Sequence, residues 1–424
     1  MKKSKTTLAN GEGISKVLTV TSQGNVYEAT PEEVGDVQTP AAVIGALSTN
    51  FTLEGNSNPA FTLNNRGAAE LYQSQMGGYM FLVKSGTIYA AKLNGGNWNR
   101  FADGTPVSDA SKFETMVHVP DCHYKGEGKH LNFGGPVPID GGHVFGSPHW
   151  VGAYQMYVDA AGKGHSRPDV APTHSKTMTT FWGHAQNLGT EFGLANYGFH
   201  CLINALYQAR YGNLNSQKTI GPGFQTVTDG LGWEALRDVP MGLLRSLGDG
   251  SGKVLYKDAH GDKQYPVKLF GFEDLWGKLW EFCPGIRFYM EGSTRIALVY
   301  NGNIVSNTIT KNDAAFDHMF ECAVQSAGGE YVRSMECGEF WDMIAQSVSG
   351  AGSDTYYCDG YWAATAGELL VFGGGAKYGA RCGLSYANSH PGFSISWTYS
   401  GARLAFYGEP KIVSGAELEA LAAS

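Results

Sequence analysis

The sequence predicts an α+β protein in which strands and tight loops outnumber helices. Two features of composition and one of patterning carry this. Glycine fills 58 of 424 positions, about 14% and roughly twice ordinary usage. Aromatic residues make up 12% and charged residues only 17%, a mixture rich in turn and strand formers and poor in the charges that clothe surface helices. Helical periodicity is confined to a few windows, and no heptad run encodes a coiled-coil shaft.

Residues 1–50 read as a small β-rich N-terminal region. Segments 17–21 and 25–28 are two short strands around Ser22-Gln23-Gly24. Thr30-Pro31-Glu32-Glu33 has capping-box spacing with Pro at the first helical position, so a short helix is expected after it. Residues 51–114 form a β-rich connecting region, in which 79–83 and 87–93 alternate around Lys84-Ser85-Gly86 as a hairpin. A larger domain is expected over 115–410, followed by a tail, 411–424. Within it, GFHCLINALYQARYG (198–212) carries the best helical stripe, Phe199, Leu202, Ile203, Leu206, Tyr207 and Arg210, and Gly212 is a natural stop. A second helix is expected over 178–188, broken by Gly189, and one more around 313–326; the rest reads as short strands and turns.

Charge and motifs exclude several functions. The net charge of −8, with no basic stripe beyond the first few residues, argues against nucleic-acid binding. The charged N-terminus lacks the apolar stretch of a secretory signal, and apolar runs such as 41–47 are too short to cross a bilayer, so no membrane insertion is expected. Seven dispersed cysteines without a CxxC pair read as structural thiols kept under reducing conditions.

Cys122, His123, His130, His143 and His149 are chemically suitable metal ligands, but their spacing fits no standard finger; hydrogen-bonded or interface histidines are the better reading, and no metal or cofactor is expected. The run 248–253 looks like a phosphate loop but has Leu247 and Val254 where glycine and a hydroxyl are needed. No Gly-x-Ser-x-Gly elbow is present.

Four stretches, in order, carry a family resemblance. A helix pair, 177–189 and 197–212, holds YGFHCLINALYQARYG. NLNSQKTIGPG (213–223) looks like a linker of phage tail proteins. GFEDLWGKLWEF (271–282) is similar to an Asp-x-x-Gly-Asn-Val-Trp-Glu-Trp core motif. VFGGGA and GARL resemble a pair of closing strands. Together they resemble the C-type-lectin fold of the formylglycine-generating-enzyme-like group, above all the phage virion proteins that use it for receptor binding or retroelement-diversified display. The resemblance covers 115–410.

It implies a C-terminal domain of two helices and short twisted strands. Trp276, Trp280, Leu275 and Leu279 would be core, at roughly 2–3 kcal/mol per well-buried side chain. Gly277 would allow close backbone approach. Lys278 stands where the group has Asn. The enzymes of the group use two cysteines five positions apart; Cys382 matches one but position 377 is lysine, so no catalysis is expected. Calcium-lectin motifs are absent, and calcium-free carbohydrate binding stays open.

Between the glycines 373–375 and the GARL stretch 401–404 lies a segment held at its ends. From 356 to 407 there are 12 aromatics but only 5 charged residues in 52, the composition of an antibody-like contact surface. Trp362, Glu368, Lys377, Ser385, Tyr386, Asn388, His390, Trp397 and Tyr399 are the candidate contact residues; the competing reading makes individual aromatics ordinary strand residues facing the core. The expected function is that of a non-enzymatic phage virion protein that binds a host cell-surface glycan or protein. Residues 1–50 would attach it to other virion proteins, as a homo-oligomer (trimer or dimer). The alternative is a capsid or tail decoration or connector protein whose aromatic surface is an assembly interface.

Overall fold

The structure, a computed structural model, describes residues 4–7, 17–20, 26–29, 48–54, 60–302, 305–306, 310–324, 330–350 and 357–424. The helix expected after Thr30 lies outside these residues. Near the N-terminus, β1 (Ser4–Thr7), β2 (Val17–Val20) and β3 (Val26–Ala29) form an antiparallel three-stranded sheet. Its second and third strands sit where the sequence predicts them.

The next elements are β4 (Thr49–Glu54), β5 (Ala60–Leu63), α1 (Gly67–Gln75), β6 (Gly77–Lys84) and β7 (Thr87–Asn94). The β6–β7 hairpin turns on Ser85 and Gly86, both at positive φ (50° and 76°), the geometry that matches strand twist in a two-residue turn. Then come β8 (Glu114–His118), β9 (His123–Glu127), β10 (His130–Gly135) and β11 (Trp150–Gln155). Helix α2 (Met178–Leu188) is capped by Thr177 Oγ1, which accepts from Thr180 N at 3.1 Å. After β12 (Phe192–Leu194), α3 (Tyr197–Tyr211) starts under Asn196 Oδ1, which accepts from Phe199 N, and ends at left-handed Gly212. Both helices match the sequence expectation within a residue, because cap, stripe and stop are all local signals.

Downstream lie β13 (Trp280–Cys283), β14 (Ile286–Glu291), β15 (Thr294–Tyr300), β16 (Phe316–Cys322), β17 (Glu330–Glu336) and β18 (Ile344–Gly350). They are followed by β19 (Gly360–Ala363), β20 (Leu370–Phe372), β21 (Ala387–Ser389), β22 (Ser400–Gly401), β23 (Arg403–Phe406) and the terminal helix α4 (Gly415–Ala423). The helix expected over 313–326 is instead strand β16. Its side chains alternate, Asp317, Met319 and Glu321 exposed and Phe316, His318 and Phe320 turned inward, a period of two that packs against β15.

The fold is mixed α+β, mostly strands. An eight-stranded sheet runs β12-β23-β11-β8-β6-β7 and on to 411–412, with 97–101 also on β7; a seven-stranded sheet runs β18-β17-β19-β21-β20-β13-β22. The first sheet corrects the expected divisions. Strands of 77–118 share it with 150–155, 403–406 and 411–412, so the line at 114/115 falls on the first residue of β8. The tail likewise closes on the sheet through α4, whose Leu418 is buried.

The sheet separates two cores. Phe81, Ala90 and Met116 face one, with Trp280, Phe282 and Leu404. Met80, Ala91 and Val117 face the other, with Trp276 and the apolar face of α3. Leu275, Trp276, Leu279 and Trp280 are all buried, as expected. Gly277 has φ 84°, and a Cβ there would stand 2.9 Å from Gly223 Cα, so the close approach expected of it is present. All seven cysteines are buried free thiols.

Candidate functional site

The irregular segment between Gly373 and Ser400 rests on β13. Closing strands paired with each other were expected; instead β20 and β22 flank β13, one on each side. Glu281 is the register partner of Phe372 in the antiparallel pair and of Gly401 in the parallel one. The Glu281 side chain then accepts from Arg403 Nη2 at 2.6 Å and Nε at 2.9 Å, with both residues fully buried. Beside them Lys278, also buried, donates from Nζ to Val239 O at 2.7 Å and lies 3.5 Å from Asp274 Oδ2. Burial pulls the Lys278 pKa down while Asp274 pulls it up. These bonded charges leave a stiff floor under the segment.

The outer part of the segment has no regular structure from 391 to 399, yet its main chain is tied down. Pro391 O accepts from Glu368 N and Leu369 N, Trp397 O from Ser175 N and Ser400 N, and Tyr399 O from Trp280 N at 3.0 Å. The side chains of this loop therefore stand at fixed places on the surface.

Their rings make one continuous strip. Trp362 stacks on His390 with centroids 5.7 Å apart, His390 meets Trp397 at 6.0 Å, and Trp397 stacks on Tyr399 at 5.2 Å. Tyr399 then meets Trp233 edge-on at 5.9 Å and Tyr378 at 6.5 Å. His390 is exposed and the other rings are partly so; the inner edges of Trp397, Tyr399 and Tyr378 pack on the core beneath. At the end of the strip the exposed Lys377 places Nζ 3.6 Å from the Tyr399 ring centre, 5.0 Å from Tyr378 and 5.1 Å from Trp233. Partial burial lowers the Lys377 pKa, with Glu234 opposing. Near the other end Glu368 is half-exposed, its carboxylate 3.8 Å from Arg287, whose guanidinium lies over Phe393 at 4.3 Å.

Of the nine expected contact residues, Trp362, Lys377, His390, Trp397 and Tyr399 come together in the strip, and Glu368 lies beside it. Three are corrected. Tyr386 is fully buried, its ring 4.5 Å from Trp280. Asn388 is buried in β21 and its Oδ1 accepts from His390 N at 2.9 Å. Ser385 turns inward, its Oγ donating to Asn204 Oδ1 of α3 and its N to the buried Asp359 carboxylate. Asn388 and Ser385 find polar partners inside the fold and Tyr386 packs by its ring, which composition alone does not reveal. Trp233 and Tyr378 were missed: Trp233 opens a short helix (Trp233–Arg237) far away in the sequence, and only tertiary packing joins it to the strip.

A second group of titratable side chains sits elsewhere. A cavity of about 140 Å³ is lined by Tyr124, His143, Tyr197, Asp317, His318 and Phe340, among others. His318 stacks on Phe340 at 3.7 Å and bonds Asp317 at 3.0 Å and Asp342 at 2.9 Å. Despite the cost of burial, these carboxylates push its pKa up to about 9. Tyr197 Oη donates to Asp342 O at 2.8 Å, tying the group to α3.

The histidine-rich stretch resolves into separate pairs: His143 with Glu339 at 2.9 Å, His149 with Asp121 at 3.1 Å, and His130 with Thr52 at 3.1 Å. Among the described residues no group of three or more His, Cys, Asp and Glu side chains is placed to hold a metal ion, and no helix is long and apolar enough to cross a membrane. No protein-family model matches the chain, nor does any curated protein.

Proposed function

We propose that the protein is a non-enzymatic adhesion protein of a phage virion, whose aromatic strip contacts a host cell-surface glycan or protein. The observation that carries this reading is the strip itself: four rings in succession, at least partly exposed, on a loop whose backbone is bonded to the sheet below. Rigid aromatics provide contact area at low entropic cost. A C-type-lectin-like arrangement of the C-terminal part belongs to the same proposal. It is supported by the convergence of the GFEDLWGKLWEF and GARL stretches at the Glu281–Arg403 fork. Attachment to other virion proteins through residues 1–50, and assembly as a trimer or dimer, complete the reading.

The test is binding of fluorescently labelled protein to a panel of bacterial cells. Wild type should stain some strains. The triple variant Trp362→Ala, Trp397→Ala, Tyr399→Ala, with unchanged circular dichroism, should lose at least about tenfold of that staining. Equal staining by wild type and variant would sink the proposal. If no strain is stained and the same variant fails to assemble into particles, the strip is an assembly interface and the protein a capsid or tail connector.

A further inference from the structure

Lys377 is an unusual member of the strip. Among the described residues its ammonium makes no hydrogen bond and no ion pair; its close neighbours are the faces of Tyr399, Tyr378 and Trp233. Other surface and buried cations of the region are matched: Arg287 faces Glu368, Arg237 pairs with Asp238 at 2.7 Å, and Lys278 faces Asp274. Glu234 exerts an electrostatic pull on Lys377 without forming an ion pair, so what sets this lysine apart is its seat on three ring faces.

Three rings around a cation form the kind of cage that takes quaternary ammonium ligands. Here the cage is already filled from within. A tethered ammonium is at high effective concentration, so an incoming cation would have to displace it. The ring faces instead hold the lysine in place, each exposed contact being worth about 0.5–1 kcal/mol, and its N–H donors meet no acceptor among the described residues. What the site offers is a fixed positive charge at the end of an aromatic platform.

We infer that the ligand of the strip is a saccharide bearing an anionic group, carboxylate or phosphate. That group would pair with Lys377, while the C–H faces of the sugar rings lie along Tyr399, Trp397 and His390. Ring-to-ring steps of 5.2 Å and 6.0 Å along the strip make a continuous, partly exposed apolar surface along which a chain of pyranose rings can lie. The inference rests on the adhesive reading and names its ligand class.

The experiment is a printed array of bacterial polysaccharides, each spotted untreated, after chemical reduction of its carboxyl groups, and after removal of phosphodiesters with hydrofluoric acid. Wild type should retain only anionic polysaccharides. It should lose them after whichever treatment removes the anion, which also identifies the source of the charge. Lys377→Gln should weaken binding about tenfold, the order expected for one charge-assisted hydrogen bond, and Lys377→Arg should restore most of it. Binding to neutral polysaccharides that is abolished by Trp397→Ala but unchanged in Lys377→Gln would overturn the anionic class and leave the adhesive role standing. Cell staining that depends on Trp397 without retention of any polysaccharide would overturn the saccharide altogether and point to a protein receptor.

Discussion

Glu281 and Arg403 are 122 residues apart in the chain and form a two-pronged contact with no exposure to solvent. The rest of the guanidinium is also used: Nη1 donates to Gly152 O and Ala153 O, and Nη2 to Glu273 O. Gln155 Nε2 adds a bond to Glu281 Oε1 at 3.0 Å. The pair thus joins the seven-stranded sheet, through β13, to the eight-stranded one, through β11 and β23.

Breaking that pair leaves one buried charge without its partner, which costs about 3–5 kcal/mol. Glu281→Ala should therefore lower unfolding free energy by that amount in guanidinium titrations, and the double variant Glu281→Ala, Arg403→Met should cost less than the two single changes added together. Strict additivity in this double-mutant cycle would show that the two side chains act independently.

His318 gives the fold a response to alkali. Its pKa is raised to about 9 by Asp317 and Asp342, against about 6.5 in an unfolded chain. The proton is held more tightly in the folded state, so the stabilisation is complete below about pH 6.5 and is lost as pH rises through about 9; the shift corresponds to roughly 3 kcal/mol at most. Melting temperature should fall across that window in wild type, and the fall should be much reduced in His318→Gln. A flat wild-type profile there would refute the assignment.

Asp359 predicts a second slope with the same sign, at lower pH. Its carboxyl group is buried under Ser385, and burial raises its pKa to about 7. Folding therefore favours the protonated acid, and stability should decline as pH rises from about 4 to about 7, opposite to the behaviour of a salt-bridged carboxylate. Asp359→Asn keeps the acceptor for Ser385 N and should remove the slope, as read by urea midpoints at pH 5 and pH 8. Persistence of the slope in the variant would place its origin elsewhere.

Gly277 allows a backbone contact to be separated from backbone strain. Gly277 and Gly292 both have positive φ, 84° and 63°, but a Cβ at 292 meets nothing within 4 Å whereas one at 277 meets Gly223 Cα at 2.9 Å. Gly292→Ala should cost about 1 kcal/mol from conformation alone. Gly277→Ala should cost clearly more, because main chain has to move. Equal costs in thermal unfolding would mean that the approach to Gly223 relaxes freely.

Local signals were the legible ones. The stripe and stop of α3, Phe199 to Gly212, lie within fourteen residues, and the turn of the β6–β7 hairpin within two. The buried Trp276 and Trp280 were readable because two large indoles beside leucines have few places outside a core. The strand at 316–322 was misread as a helix because its alternation is carried by polar residues on one face and mixed aromatic and polar residues on the other. In the strip, composition singled out the aromatic segment but did not show which of its side chains point outward. Tyr386 and Tyr399 are the same residue type thirteen positions apart; one fills the space over Trp280 and the other supports Lys377. Only the strand pairing of β21 and the loop after it distinguishes them.

The loop from 391 to 399 is moored through carbonyl oxygens, at Pro391, Trp397 and Tyr399. A carbonyl is common to all amino acids, so much of the mooring does not specify which side chains the loop must carry. Packing of the inner ring edges still favours bulk at some positions, but the outward chemistry is free to vary without loss of the frame. On the adhesive reading proposed above, such a surface can change its ligand by a few substitutions while its architecture stays the same, so that recognition would be separable from folding and open to rapid exchange.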